Sequence, residues 1–345
     1  MTELSRRDLL RRAGAGAGLA LAPGLIAACG GGGSSEPAPP KSKRIGLSLA
    51  GDYPFAVCVA SGAFRALAGS RYELLVTEAG FSATREIDNL AKLIDAKVAG
   101  LVIQPVAIEG ATRGAQFAQQ AGIRASTTMS PGLGPGSKFF AGVVEVPGRV
   151  GGRLIGRWLL KNVPRGGEII VVQGILGQGT SEPLDEGLEQ ALTGHPEFRV
   201  VLRGPANLDP DQAVALVERG LALHPKARMI VDYGAVMGNA IAEYLQSRKL
   251  RGIVHVTSDA DDATPRWLKT PYLRATRYFS AAQTGREATR IALDAIKGDE
   301  TAVQPFTHFV PQSMRTAATI GAAAPACDAA YEARARAAVA AAAPK

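Results

Sequence analysis

The chain is 345 residues long, 46% hydrophobic, and carries a formal net charge of +8. That length favours two domains over one, and the hydrophobic content is ordinary for a globular protein. The basic excess is spread along the chain, without a dense Lys/Arg run or interleaved aromatic stripe, so no nucleic-acid partner is expected.

The first 28 residues read as a targeting segment, set aside before the fold is considered. Ser5-Arg6-Arg7-Asp8-Leu9-Leu10-Arg11-Arg12 precedes a small apolar run from Ala13 to Ala28. Paired arginines before a mildly apolar stretch resemble a twin-arginine signal. The run is broken by glycines and a proline and is too weakly apolar for a spanning helix. It ends Leu25-Ile26-Ala27-Ala28-Cys29, which resembles the lipobox of bacterial lipoproteins, where cleavage precedes the cysteine and its sulfur is acylated. Cys29 is therefore the expected lipidation site. Losing Arg6, Arg7, Arg11 and Arg12 together with Glu3 and Asp8 lowers the charge to +6. Residues 29–42 are rich in Gly, Ser and Pro and read as a linker. The expected location is the periplasm or cell envelope, with a lipid anchor holding the chain to a membrane surface.

From Arg44 onward, strand and helix patterns alternate. Strand-length apolar runs occur at 45–49, 72–76, 101–103 and 139–143, separated by helix-period stretches near 54–68, 83–97 and 108–121. After Val146 the pattern repeats, with a helix at 148–161, strands at 168–173, 199–202, 228–231 and 253–257, and helices at 183–193, 210–223 and 235–248. Beyond Arg274 come one more strand, a helix at 281–297 and a strand near 306–310. Asp209-Pro210-Asp211-Gln212 has the form of a capping box with proline at the first helical position, and Pro54 and Pro183 also mark helix starts. This rhythm predicts an α/β fold of two similar Rossmann-like domains, with parallel sheets covered by helices on both faces.

The expected division is an N-terminal lobe of 43–146 plus 280–304 and a C-terminal lobe of 147–279 plus 305–316. Several segments crossing between the lobes would act as a hinge. The tail, 317–345, is Ala-rich; its helix propensity comes without a strong apolar stripe, so helix and disorder both stay open. Cys58 and Cys327 could pair in an oxidising compartment, but their positions give no geometric support. Within Phe55-Ala56-Val57-Cys58-Val59, Cys58 reads as a buried small hydrophobe.

Motifs for chemistry are sparse. There is no phosphate loop, and no GxGxxG follows the first strand. His195, His224, His255 and His308 are scattered without metal-ligand spacing. Ser48 in Gly46-Leu47-Ser48-Leu49-Ala50 narrowly misses a nucleophile elbow, and it lies inside a strand. No catalytic residues, cofactor or metal are expected.

Several short elements carry a family likeness. Ile45-Gly46-Leu47-Ser48-Leu49 with Tyr53-Pro54-Phe55 is similar to a first strand followed by an Asn-Pro-Phe turn. Asp88 to Pro105 is similar to a second helix and third strand. Val172-Gln173-Gly174-Ile175, Glu186-Gly187-Leu188 and Thr257-Ser258-Asp259 follow in matching order. Together, across Arg44 to Met314, they resemble the ribose-binding protein family of type I periplasmic binding proteins, which serve ABC transporters. The resemblance implies a monomeric, non-enzymatic, hinged two-domain binder of a small molecule, with an ABC transporter permease as partner.

The resemblance assigns ligand positions unevenly. Tyr53 and Phe55 hold the first-loop positions, with a core wall as the bland alternative. Asp259 holds the strand-end aspartate position, with a helix N-cap as its alternative. Elsewhere the chain departs from the pattern. Met129-Ser130 replaces an Asp-Arg pair, and Glu182 replaces an arginine in the first turn of a helix. Leu208 replaces an aromatic, Tyr233 beside Asp232 replaces an asparagine, and Phe279 beside Arg277 and Tyr278 replaces a glutamine. Losing two arginines removes strong hydroxyl-gripping groups. The implied lining suits a less polar, aromatic or cationic ligand better than an ordinary pentose or hexose. Glu182 has its own alternative as a favourable charge at a helix N-terminus. Two other functions share this outline: a ligand-sensing subunit presented to a membrane receptor, and an exported hydrolase using Ser48 or a carboxylate pair.

Overall fold

The computed structural model describes residues 42–129, 134–298, 306–322 and 326–343. The expected signal, the lipidation site Cys29 and the candidate Ser130 lie outside the described residues.

The chain builds one sheet, leaves it for a second, and returns. In the first lobe, β1 (Arg44–Leu49), β2 (Glu73–Glu78), β3 (Gly100–Ile103), β4 (Arg124–Thr128) and β5 (Gly142–Glu145) alternate with α1 (Pro54–Leu67), α2 (Ala83–Asp95) and α3 (Ile108–Gln120). The second lobe opens with α4 (Gly148–Asn162), β6 (Gly167–Gln173), α5 (Ser181–Leu192), β7 (Phe198–Pro205) and α6 (Pro210–Leu223). It continues through β8 (Ala227–Asp232), α7 (Ala235–Ser247), β9 (Val254–Ser258), α8 (Thr264–Leu268) and β10 (Ala275–Tyr278). The chain then returns to the first lobe as α9 (Ala281–Ile296) and β11 (Phe306–Phe309), and crosses again to β12 (Ser313–Arg315).

The strand orders are β2-β1-β3-β4-β5-β11 and β7-β6-β8-β9-β10-β12, so the lobes repeat one plan. Every pairing is parallel except β10 with β12. Helices cover both faces, which is why the central strands are continuously apolar. In β3, Leu101 and Ile103 face Leu90 and Ala111, while Val102 joins the cluster around α1 and α9. In β6, Ile170 and Val172 face one helical layer, and Ile169 and Val171 face the other.

Glycines set the helix spacing on one face of each lobe. A Cβ on Gly62 of α1 would lie 1.8 Å from the Ala282 carbonyl oxygen, and one on Gly285 of α9 would lie 2.0 Å from that of Val59. Gly152 of α4 and Gly187 of α5 make the same reciprocal approach in the second lobe, toward the Leu184 and Arg149 carbonyls.

At four points the structure corrects or decides what the sequence left. First, β4 reads Arg-Ala-Ser-Thr-Thr and has no apolar run, yet Ser126, Thr127 and Thr128 are fully buried. Its hydroxyls lie between layers, where Ser126 Oγ donates to the Ala288 carbonyl at 2.7 Å. Second, the segment 305–316 does not belong wholly to the second lobe. β11 pairs with β5 of the first sheet, Phe306 opposite Gly142, and only β12 joins the second.

Third, Cys58 and Cys327 form a disulfide with Cα atoms 4.1 Å apart. Fourth, of the two alternatives left open for the tail, the described part takes the helix: α10 (Glu332–Ala342) buries Ala335 and Val339 in the core cluster that includes Phe64 and Leu67 of α1. Arg65 binds Asp328 through two nitrogens, at 2.7 and 3.0 Å, beside the disulfide. The weak apolar stripe could not decide between the two alternatives, because alanines alone suffice for close packing and the disulfide adds a covalent link to α1.

Candidate functional site

A cleft opens between the lobes where the carboxyl ends of both sheets face each other, the position at which open α/β sheets bind ligands. It holds about 750 Å³ of space between atoms, part of it open to solvent. Each wall comes from residues that follow a strand: Tyr53 and Phe55 beyond β1, Gln104 beyond β3, and Met129 beyond β4. Opposite them stand Gln178 and Thr180 beyond β6, Leu208 beyond β7, Tyr233 beyond β8, and Asp259 beyond β9. Arg277, near the end of β10, completes the polar side.

Aromatic rings form the first lobe's wall. Tyr53 and Phe55 lie near-parallel with centroids 6.0 Å apart, and Phe81 packs against Tyr53 at 5.2 Å. The Tyr53 hydroxyl accepts from Gln104 Nε2 at 3.0 Å, while Gln104 Oε1 accepts from the Ala50 amide at 3.2 Å. Burial and the nearby Asp259 push the Tyr53 phenol well above its usual range. Pro54 opens α1, so both rings are held at a helix entry of set φ.

Asp259 is the polar centre of the second lobe's wall. Its Oδ1 accepts from Ser258 Oγ at 3.1 Å and meets Arg277 Nη2 at 3.4 Å. Burial raises its carboxyl to about 6, against the pull of Arg277 and Ser258. Burial also lowers the Arg277 pKa from its ordinary value, opposed by Asp259. The helix-cap role falls to its neighbour: Asp261 Oδ1 accepts from the amides of Ala263 and Thr264, at 2.9 and 3.0 Å, at the start of α8.

Met129, Leu208 and Asp259 all have left-handed backbone, with φ of 62°, 60° and 70°. Non-glycine residues pay for that conformation, and such residues gather where side chains must be aimed at a ligand.

The lobes touch across the mouth of the cleft. Gln178 Nε2 donates to the Pro105 carbonyl at 3.1 Å, and the Ile108 amide donates to the Gly177 carbonyl at 3.2 Å. Glu86 shapes this rim by accepting from the amides of Val106 and Ala107, at 2.7 and 3.4 Å. Burial raises its carboxyl to about 7, offset in part by those two amides.

Of the residues singled out in the sequence, Tyr53, Phe55, Met129, Leu208, Tyr233 and Asp259 come together in the cleft. Two do not line it. Glu182 Oε1 accepts from the Gly177 amide at 2.7 Å, so it braces the loop ahead of α5. Phe279 is buried behind Phe55, edge-on at 5.8 Å, beneath the Arg277 guanidinium at 4.8 Å. The Tyr233 hydroxyl donates to Asp185 at 2.7 Å, which leaves its ring as the surface toward the cleft.

Gln104, Gln178, Thr180 and Arg277 were missed. The positions just beyond β3 and β6 point to the first three, because that is where such folds bind. Arg277 had a different signal, a charge inside a buried strand, which requires a partner nearby. Ser48 is fully buried within β1 and opens to no cleft. Among the described residues, no cluster of potential metal ligands occurs, and no helix is long and apolar enough to cross a membrane.

Comparison with known proteins agrees with this geometry. Residues 47–300 match the family model described as periplasmic binding protein domain. The ribose import binding protein RbsB of Salmonella typhimurium is 23% identical over 247 residues, covering 72% of this chain and 82% of that protein. A solute-binding protein from Burkholderia graminis, solved in complex with D-arabinose, superposes with a TM-score of 0.75 at 21% identity, over 82% of this chain and 98% of that one. One from Bacillus halodurans with bound myo-inositol also gives 0.75 at 20% identity, over 86% and 99%. This chain belongs to the periplasmic binding protein family.

Proposed function

We propose that this chain captures a small ring-shaped solute between its lobes and presents it to an ABC-type import permease. It is held at a membrane surface by acylation of Cys29. The ligand is a sugar or a less polar, sugar-like compound. One observation carries this reading: an aromatic wall of Tyr53 and Phe55 faces a carboxylate, Asp259, across a single cleft. Rings stack on the C–H faces of a saturated ring, and a fixed carboxylate accepts from its hydroxyls.

The mixture of Met129, Leu184 and Leu208 with only a few polar groups favours a ligand with fewer hydroxyls to satisfy than an ordinary hexose. The relatives with D-arabinose and myo-inositol set the range in which to search. Arg277 does not restore the family's hydroxyl-gripping arginines, because its guanidinium is engaged with Ser258, Asp259 and Gln312.

The test is thermal shift against pentoses, hexoses, deoxysugars, inositols and small aromatic glycosides, since a ligand that binds only the folded form raises its melting temperature. A saturable shift that disappears in Asp259→Ala supports the reading. No shift with any compound, or a shift indifferent to Asp259, refutes it. For the anchor, labelled fatty acid should be incorporated by the wild type and not by Cys29→Ser.

A further inference from the structure

Three segments cross between the lobes, at 145–148, 278–281 and 309–313. The first and third are joined by backbone, since the Val310 amide donates to the Glu145 carbonyl at 2.9 Å. Gln312, on the third, adds side-chain links to the first crossing and to β10 just ahead of the second. Its Nε2 donates to the Pro147 carbonyl at 2.8 Å, and its Oε1 accepts from Arg277 Nη1 at 2.8 Å.

Arg277 sits one residue before the end of β10, where the second crossing leaves the sheet. Its remaining nitrogens face the cleft loop: Nε donates to Ser258 Oγ at 3.0 Å, and Nη2 lies 3.4 Å from Asp259 Oδ1. The side chain is only 4% exposed. A buried guanidinium is tolerated when its donors are placed, and each of these nitrogens is. Gly151 of α4 closes the cage, because a Cβ there would lie 2.6 Å from Arg277 Nη1 and 2.8 Å from Gln312 Oε1.

We propose that Arg277 and Gln312 are positioning residues that fasten the first crossing to the paired second and third and tie all three to the Asp259 loop. The β10–β12 ladder, with Tyr278 opposite Ser313, already joins the second and third crossings at their second-lobe ends, which leaves the first to absorb a hinge rotation independently there. Locking all three second-lobe ends together makes them turn as one. A planar fork suits this role, because meeting Ser258 and Asp259 on one side fixes the donor that reaches Gln312 on the other. A ligand that pulls on Asp259 therefore pulls on the hinge through the same guanidinium. That last consequence rests on the proposed function; the hinge linkage does not.

The experiment is amide hydrogen exchange on the ligand-free full chain, comparing wild type, Gln312→Leu and Gln312→Glu. Gln312→Leu breaks both side-chain links. It should raise exchange in the 145–148 and 278–281 crossings at least about fivefold, while helices away from the hinge keep their protection. Gln312→Glu keeps an acceptor for Arg277 and, when ionised, loses the donor to Pro147. It should leave the 278–281 crossing protected and loosen 145–148.

The proposal is overturned if Gln312→Leu exchanges faster only at 309–313. It is equally overturned if Gln312→Glu loosens 278–281 as much as Gln312→Leu does, which also decides the matter should the leucine variant fail to fold. The comparison uses no ligand, so it stands or falls apart from the binding reading, whose own failure appears as absent thermal shifts.

Discussion

Removing the Cys58–Cys327 bond tests the account of the C-terminal tail. The two cysteines are 269 residues apart, so the bond closes a loop spanning nearly the whole described chain. In the chain-entropy view, such a loop removes roughly 19 cal/mol/K from the unfolded ensemble, about 5.6 kcal/mol at 25 °C, and measured disulfides commonly give about 2–4. For roughly 290 ordered residues the entropy of unfolding is about 0.6 kcal/mol/K, so the melting temperature should fall by about 3–9 °C. The perturbation is Cys58→Ser with Cys327→Ser, and the assay is calorimetry alongside amide exchange over 326–343. Exchange should rise first in that segment, because Arg65–Asp328 and the small contacts of Ala335 and Val339 are what remain to hold it. A melting temperature within about 1 °C of wild type, with the tail amides still protected, would refute the reasoning.

Further predictions follow from single residues. Burial raises the Asp259 carboxyl from 3.8 to about 6, so the folded state holds that proton more tightly than the unfolded state. Its contribution to stability is favourable below about pH 4 and is lost as pH rises through about 6. Asp259→Asn should therefore melt higher than wild type at pH 7.5, with the gain shrinking toward pH 4, while ligand affinity falls; a pH-independent difference would exclude the carboxyl as its source. Phe55→Ala removes a ring packed with Tyr53 and Phe279 and should weaken binding about tenfold, about 1.4 kcal/mol, measured by titration calorimetry. Gly62→Ala forces a methyl group toward the Ala282 carbonyl and should cost about 1–3 kcal/mol in denaturant unfolding, whereas Gly252→Ala, with nothing within 4 Å, should be neutral.

The site was legible where it depended on local position. Tyr53 and Phe55 stand beside the proline that opens α1, and Asp259 ends a strand, so the family resemblance could assign them to the cleft wall that they line. Glu182 illustrates the limit. It does lie at a helix start, but whether such a carboxylate faces a ligand or its own preceding loop depends on the path of that loop, and here it takes the Gly177 amide. Phe279 was displaced from the lining by one layer, because Phe55 occupies the front position and Phe279 supports it from behind.

Periodicity and punctuation determined the two-lobed α/β plan, because each parallel strand buried on both faces must be apolar and each helix must start and stop locally. Features that join distant segments were decided only by the tertiary structure. β4 shows this at the level of an element, since its serine and threonines are buried by neighbours that supply their hydrogen-bond partners. The Cys58–Cys327 bond shows it at the level of the chain, as nothing near either cysteine indicates the other. Arg277 shows it for function: its charge was plain in the sequence, but its partners Ser258, Asp259 and Gln312 lie in separate segments that meet only when both sheets and the hinge have formed.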